Sequence, residues 1–159
     1  MNGRVILWSG KQKKQLGYFD TDGSVVAADI NNKHNVLAVT KEDGLLQFYS
    51  ISSFENPFVF KEFRLTRGKR LDQILFSSNS EELAVLSKHE DRIYYILTAL
   101  TMPFEVLGFV TLPHHPLSIS WHATQKTAIK PKHENLLVCI GYGVLVVNGP
   151  QAVPAKKRG

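Results

Sequence analysis

The feature that most constrains this chain is an internal repeat. Shifted by 46 residues, Ala28–Leu65 lies over Ile74–Thr111 with seven identities in 38 positions and no gap. Leu37, Ala38 and Val39 fall on Leu83, Ala84 and Val85, and Tyr49 falls on Tyr95. Pro57, Phe58 and Phe63 fall on Pro103, Phe104 and Phe109. A chain that repeats at this period builds one structural unit several times and stacks the copies.

Each unit reads as four short strands. In the first full unit they are Val25–Ile30, Val36–Lys41, Leu45–Ile51 and Phe58–Leu65. Val, Ile, Phe and Tyr dominate them, and turn-forming residues separate them. Asn31–Asn35, Glu42-Asp43-Gly44 and Asn56-Pro57 are the breaks. Asp-Gly between two such runs is a hairpin signal, because Gly takes positive φ without strain. The second unit offers Asp72–Phe76, Glu82–Ser87, Arg92–Thr98 and Phe104–Leu112. A third offers Leu117–Trp121, a long connection Thr124–Asn135 containing Pro131, then Leu136–Ile140 and Val144–Val147. Before the first full unit, Val5–Trp8 and Gln15–Phe19 read as the last two strands of a partial one. No segment holds the i, i+3, i+4 spacing of an amphipathic helix over three turns.

Four antiparallel strands per repeat define an all-β fold, a partial β-propeller of about three and a half four-stranded blades. Its blade parts are 3–20, 25–65, 72–112 and 117–147, within a segment 1–149 followed by a basic tail, 150–159. A propeller closes with ~4–8 blades. The chain is therefore expected not to close one alone. It should carry an open apolar face at each end, covered in use by other polypeptide. Alternation in the second strands places Leu37, Val39, Leu83, Val85, Val138 and Ile140 in the core.

Composition excludes several classes. At 43% hydrophobic and 21% charged, the chain is neither disordered nor collagen-like. No apolar run reaches the ~18 residues of a membrane helix, so no membrane association is expected. The N-terminus lacks a secretory pattern, and the single cysteine has no partner in the chain. Both point to a reducing, cytoplasmic setting, with the nucleus as the alternative. The net charge of +5 is concentrated in Lys11, Lys13 and Lys14 and in Lys156, Lys157 and Arg158. A nucleic-acid-binding face spreads its positive charge along the phosphate track, so nucleic acid is not the expected partner. The two basic runs read as a solvated loop and a tail, the tail alternatively as a nuclear localisation signal.

The residue types that carry chemistry occur without the spacing that chemistry requires. His34, His89, His114, His115, His122 and His133 lack the paired spacing and companion cysteines of a zinc site, so no metal is expected. Cys139, within Leu136–Ile140, has neither a cation nor a helix end to activate it and reads as a buried small hydrophobe. Glu42-Asp43, Glu81-Glu82 and Glu90-Asp91 are neighbours on turns, not carboxylates opposed across a cleft. Gly141-Tyr142-Gly143 precedes a strand where a phosphate cradle needs a helix. Phe48, Tyr49, Phe58, Phe63, Tyr94 and Tyr95 recur with the repeat and read as blade-packing core, not as stacking platforms for bases. No catalytic residue, cofactor or small-molecule substrate is expected.

The pattern resembles the WD-repeat family of propellers. Trp8-Ser9, Tyr49-Ser50 and Tyr95-Ile96 stand where that family ends its third strand with Trp-Asp. Asp43-Gly44 stands at the family's turn, and Phe76 and Trp121 at the bulky end of its first strand. The likeness runs from Gly3 to about Val147, but no Trp-Asp or Gly-His pair occurs. His114 or His115 falls near the family's His position in a unit whose turn lacks Asp, so no single blade assembles the His–Asp network. Gly108–His122, with the degenerate repeats, is similar to the large WD-repeat proteins of cilia and flagella. The resemblance implies a non-catalytic protein-interaction scaffold within a larger assembly, as an axonemal component. The alternative is a nuclear or nucleolar scaffold of an RNA-containing complex, which salt sensitivity would separate from the first.

Overall fold

The computed structural model describes residues 3–21, 23–31, 33–53, 55–99, 101, 103–123 and 134–147. Among them there are thirteen β-strands and no helix. The chain divides into two compact units, Met1–Leu71 and Asp72–Gly159.

In the first unit, β1 (Arg4–Ser9) and β2 (Lys14–Asp20) form a hairpin. β3 (Val25–Asn31), β4 (Val36–Lys41), β5 (Leu45–Ser50) and β6 (Phe58–Arg64) form a four-stranded antiparallel sheet in chain order. One face of the hairpin packs on this sheet. Leu7, Leu37, Val39, Tyr49 and Ile51 are buried together, with Val5, Leu16, Phe19 and Val25 against them. The Phe19 and Tyr49 rings lie 4.9 Å apart.

The second unit holds β7 (Gln73–Phe76), β8 (Glu82–Ser87), β9 (Arg92–Leu97) and β10 (Glu105–Thr111), again in chain order. Beside it stands a three-stranded sheet of β11 (Pro116–Ala123), β12 (Glu134–Ile140) and β13 (Gly143–Val147). Ala84, Leu86, Ile93 and Tyr95 are buried with Ile119, Leu136, Val138, Ile140 and Val147. Two hydrogen bonds tie the first strands of these sheets one repeat apart. Ile119 N–H donates to Gln73 Oε1 at 3.3 Å, and Trp121 Nε1–H to the Leu75 carbonyl at 2.9 Å.

The sheets follow the strands read from the sequence, and all six residues named for the core are buried. The expectation of a gap-free 46-residue repeat needs correction. In the first two strands it holds: Asp29 pairs with Ala38 as Leu75 pairs with Ala84. In the last two it fails by one residue. Ala38 pairs onward with Phe48, but Ala84 pairs with Tyr95, so the offset of the third strand becomes 47. The fourth strand keeps that offset, since Phe48 faces Lys61 and Tyr95 faces Gly108.

The cause is the hairpin tip. β4 and β5 are joined by Glu42-Asp43-Gly44, with Gly44 at φ 94°. That is a three-residue loop ending in the left-handed region. β8 and β9 are joined by residues 88–91, one longer, and Asp91 takes the positive φ of 54°. Side chains alternate faces along a strand, so beyond the longer loop residues 46 apart stand on opposite faces. Tyr49 therefore sides with Leu37 and Val39, whereas Tyr95 sides with Ala84 and Leu86. By pairing, the counterpart of Tyr49 is Ile96 and that of Phe48 is Tyr95. Phe63 corresponds to Val110, not to Phe109, which is exposed over the Arg92 guanidinium at 4.1 Å.

The slip places a phenol in the interior. The Tyr95 hydroxyl is buried with no hydrogen-bond partner among the described residues. Desolvation, reinforced by the nearby Glu82 carboxylate, pushes its pKa far above the ordinary tyrosine value. The folded state thus holds the proton more tightly than the unfolded one. Stability tied to this group is complete below about pH 10 and falls as pH rises further. Tyr95→Phe should leave stability unchanged or raise it by up to ~1 kcal/mol at pH 7. It should also flatten the decline above pH 10, as read by urea unfolding across pH. Leu83→Ala, at a fully buried position of β8, should instead cost ~2–5 kcal/mol in the same assay.

Candidate functional site

The β1–β2 hairpin and the β11–β13 sheet each have one packed face and one exposed face. On β1 and β2, alternation turns Leu7 and Phe19 inward and Ile6, Trp8 and Tyr18 outward, at 56%, 62% and 53% exposure. The charges beside them cancel. Arg4 Nε donates to Asp20 Oδ1 at 2.7 Å, and the guanidinium lies over the Tyr18 ring at 4.5 Å. That pairing raises the Arg4 pKa and lowers that of Asp20.

On the last sheet, Ile119, Leu136, Val138, Ile140 and Val147 face the core. The alternate residues face out: Leu137, Cys139, Val144 and Val146, with Ser118, Ser120 and Asn135. Val144 and Val146 are 60% and 63% exposed. Cys139 pairs with Val144 and Leu137 with Val146, so these four form one block. None of the seven is charged. The outer edge of β13 has no strand beside it among the described residues. Apolar sheet surface with an unprotected edge marks a contact surface on a soluble protein.

Cys139 was expected in the interior and is exposed. The alternation that turns Val138 and Ile140 inward turns Cys139 outward, onto the face that no other described sheet covers. Phe58 was expected in the blade core and is also exposed. It opens β6, whose outer edge is unpaired among the described residues. Phe48, Tyr49, Tyr94 and Tyr95 are buried, and Phe63 is half-buried. Exposure of Trp8 was not foreseen. Its signal lay in the phase of β1, which turns Leu7 inward and therefore Trp8 outward.

The remaining candidates sit on separate turns. His34 N–H donates to Asn31 Oδ1 at 3.2 Å, and His89 lies exposed in the 88–91 loop. Asp43 binds Arg64, and Glu42 lies 3.8 Å from Arg70. Glu90 accepts from the Tyr94 hydroxyl at 2.7 Å. Glu81 and Glu82 offer their backbone N–H groups to Asn79 Oδ1 and Ser77 Oγ. Gly141 and Tyr142 form the β12–β13 turn, with the Tyr142 hydroxyl 3.0 Å from both ring nitrogens of His114. Lys11 and Lys13 occupy the β1–β2 turn, and Lys14 opens β2, all exposed. His133, the long connection around Pro131 and the basic tail lie outside the described residues. Among those residues, no three His, Cys, Asp or Glu side chains converge.

One His–Asp contact does form, in a place the sequence did not indicate. His115 Nδ1 lies 3.0 Å from Asp91 Oδ1. It joins the loop before β11 to the β8–β9 turn of the preceding sheet, and both side chains are exposed.

No family model matches the sequence, and neither does any curated protein. Solved structures match the fold. The structure of KlAtg21 with the coiled coil of AgAtg16 is 15% identical, with a TM-score of 0.71 over 93% of this chain and 45% of that one. Saccharomyces cerevisiae Sqt1 is 16% identical, with a TM-score of 0.68 over 94% and 40%. The β-propeller domain of Myceliophteria thermophila Cps50 (Swd1) is 12% identical, with a TM-score of 0.68 over 92% and 48%. This chain thus has the fold of a β-propeller segment and spans less than half the length of these structures.

An exposed contact such as His115–Asp91 contributes little. His115→Ala should shift unfolding free energy by no more than ~1 kcal/mol. A loss above ~2 kcal/mol in chemical denaturation would give this pair the buried structural role it lacks in the geometry.

Proposed function

We propose that this chain is a non-catalytic protein-interaction scaffold that works inside a larger assembly. The observation that carries this reading is the pair of exposed apolar faces, Ile6–Trp8–Tyr18 on β1–β2 and Leu137–Cys139–Val144–Val146 on β11–β13. Each such face suits a polypeptide partner. Their chemistry favours protein over nucleic acid: neither face carries net charge, and Lys11, Lys13 and Lys14 gather at one hairpin. We also propose a cytoplasmic setting. Membership of a ciliary or flagellar assembly is the finer reading, and it rests on the likeness of the degenerate repeats and Gly108–His122 to the large proteins of that kind.

Apolar contacts resist salt, while phosphate-driven binding releases ~10³–10⁵-fold between 50 and 200 mM when many phosphates are contacted. Captured from a cell extract with the tagged chain, the partners should be proteins and should remain bound at 0.5 M salt. Val144→Lys with Val146→Lys, or Trp8→Lys, should release them. Nuclease-sensitive partners lost at 0.2 M salt would overturn this reading and favour the RNA-associated alternative.

A further inference from the structure

We propose that the loop Leu65–Arg70, which follows β6, is a docking site for an acidic segment of a partner protein, held by Arg67 and Lys69. The proposal rests on the interaction reading above for the class of partner, and it adds a charged contact separate from the two apolar faces.

Three observations support it. First, the loop holds positive charge that its neighbours leave uncompensated. Arg64, Arg67, Lys69 and Arg70 form a basic run. The β4–β5 turn compensates two of them: Arg64 Nη2 donates to Asp43 Oδ2 at 3.3 Å, and Arg70 Nη1 lies 3.8 Å from Glu42 Oε2. Arg67 and Lys69 are exposed, and their side chains make no hydrogen bond or ion pair among the described residues. Second, the loop is built before any partner arrives. Thr66, itself buried, donates its hydroxyl to the Lys69 carbonyl at 2.6 Å and accepts from Lys69 N–H at 3.0 Å. Leu65 N–H donates to the Gly44 carbonyl at 2.9 Å, and Gly68 N–H to the Asp43 carbonyl at 3.1 Å. Gly68, at φ 78°, makes the left-handed bend between the two free cations. A loop already ordered loses less freedom on binding. Third, the surroundings select the kind of anion. The Gly68–Asp43 and Arg70–Glu42 contacts set two carboxylates beside Arg67 and Lys69. A polyphosphate strand or an anionic membrane surface would run onto those carboxylates and be repelled. A short acidic segment places its carboxylates on Arg67 and Lys69 alone, and the Arg67 guanidinium offers the planar fork that a carboxylate pairs with.

The full chain should bind a fluorescein-labelled tetraglutamate peptide, read as a rise in anisotropy at about 50 mM salt, where exposed ion pairs are little screened. A tetraglutamine peptide should not bind. Arg67→Gln with Lys69→Gln should weaken binding ~10-fold. Lys11→Gln with Lys13→Gln removes the same charge from the β1–β2 turn and should leave binding unchanged. Thr66→Val keeps every charge, unties the loop and should weaken binding about 3-fold. Circular dichroism should show each variant folded. A tetraglutamate peptide that does not bind would overturn the proposal, as would equal losses from the two double variants, which would make net charge the cause. A single-stranded oligonucleotide bound more tightly than the peptide through Arg67 and Lys69 would also overturn it, in favour of a phosphate-bearing partner. If the peptide failed to bind and the tagged chain still captured proteins at high salt, the interaction reading would survive the loss of this proposal.

Discussion

The structure depends on strands buried on both faces. Every residue of β4 is buried, and Leu83 through Leu86 of β8 are fully so. Such a strand gains roughly 1.5–3 kcal/mol for each large apolar side chain it hides. It gains this only if both sides of its sheet are covered. Thr40 shows how a polar group is tolerated there: its hydroxyl donates to the buried Leu71 carbonyl at 3.0 Å. The strands β1 and β13 stand in a different position, with one face packed and one bare. The contrast follows from the repeat itself, because every unit is written with two apolar faces whether or not a neighbour follows it.

Much of this was legible in the sequence, for identifiable reasons. Strand positions were clear because β-branched and aromatic runs alternate with Asn, Asp, Gly and Pro. The inward set Leu37, Val39, Leu83, Val85, Val138 and Ile140 followed from a period of two. What the sequence hid was phase. A direct comparison sets Tyr49 on Tyr95 and Phe63 on Phe109, and these identities are convincing to the eye. They arise because aromatic residues are common on both faces of a blade. The pairing of Ala84 with Tyr95 shows that they belong to different faces.

The candidate surfaces were half legible. Open ends rich in valine, leucine and aromatic side chains followed from counting strands. Which residues stand outside did not, because that requires knowing which face lacks a cover. Cys139 illustrates the difficulty. Its apolar neighbours argue for burial, yet the alternation that buries them sends it outward. Phe58 is a related case: its identity with Phe104 suggests packing, yet it opens the outermost strand, which has a neighbour on one edge only among the described residues. The His115–Asp91 contact was invisible because it joins loops of successive sheets, whereas a motif search looks within one repeat.

The lengthened loop at residues 88–91 has a consequence beyond alignment. A mutation elsewhere on a blade changes one contact. A residue gained at a hairpin tip is absorbed there: the strands that follow keep their pairing and their faces, while every later position moves by one in a gap-free comparison of the repeats. Copies that once matched can lose sequence likeness abruptly while their shapes stay superposable, which fits a chain whose fold is shared with proteins at 12–16% identity.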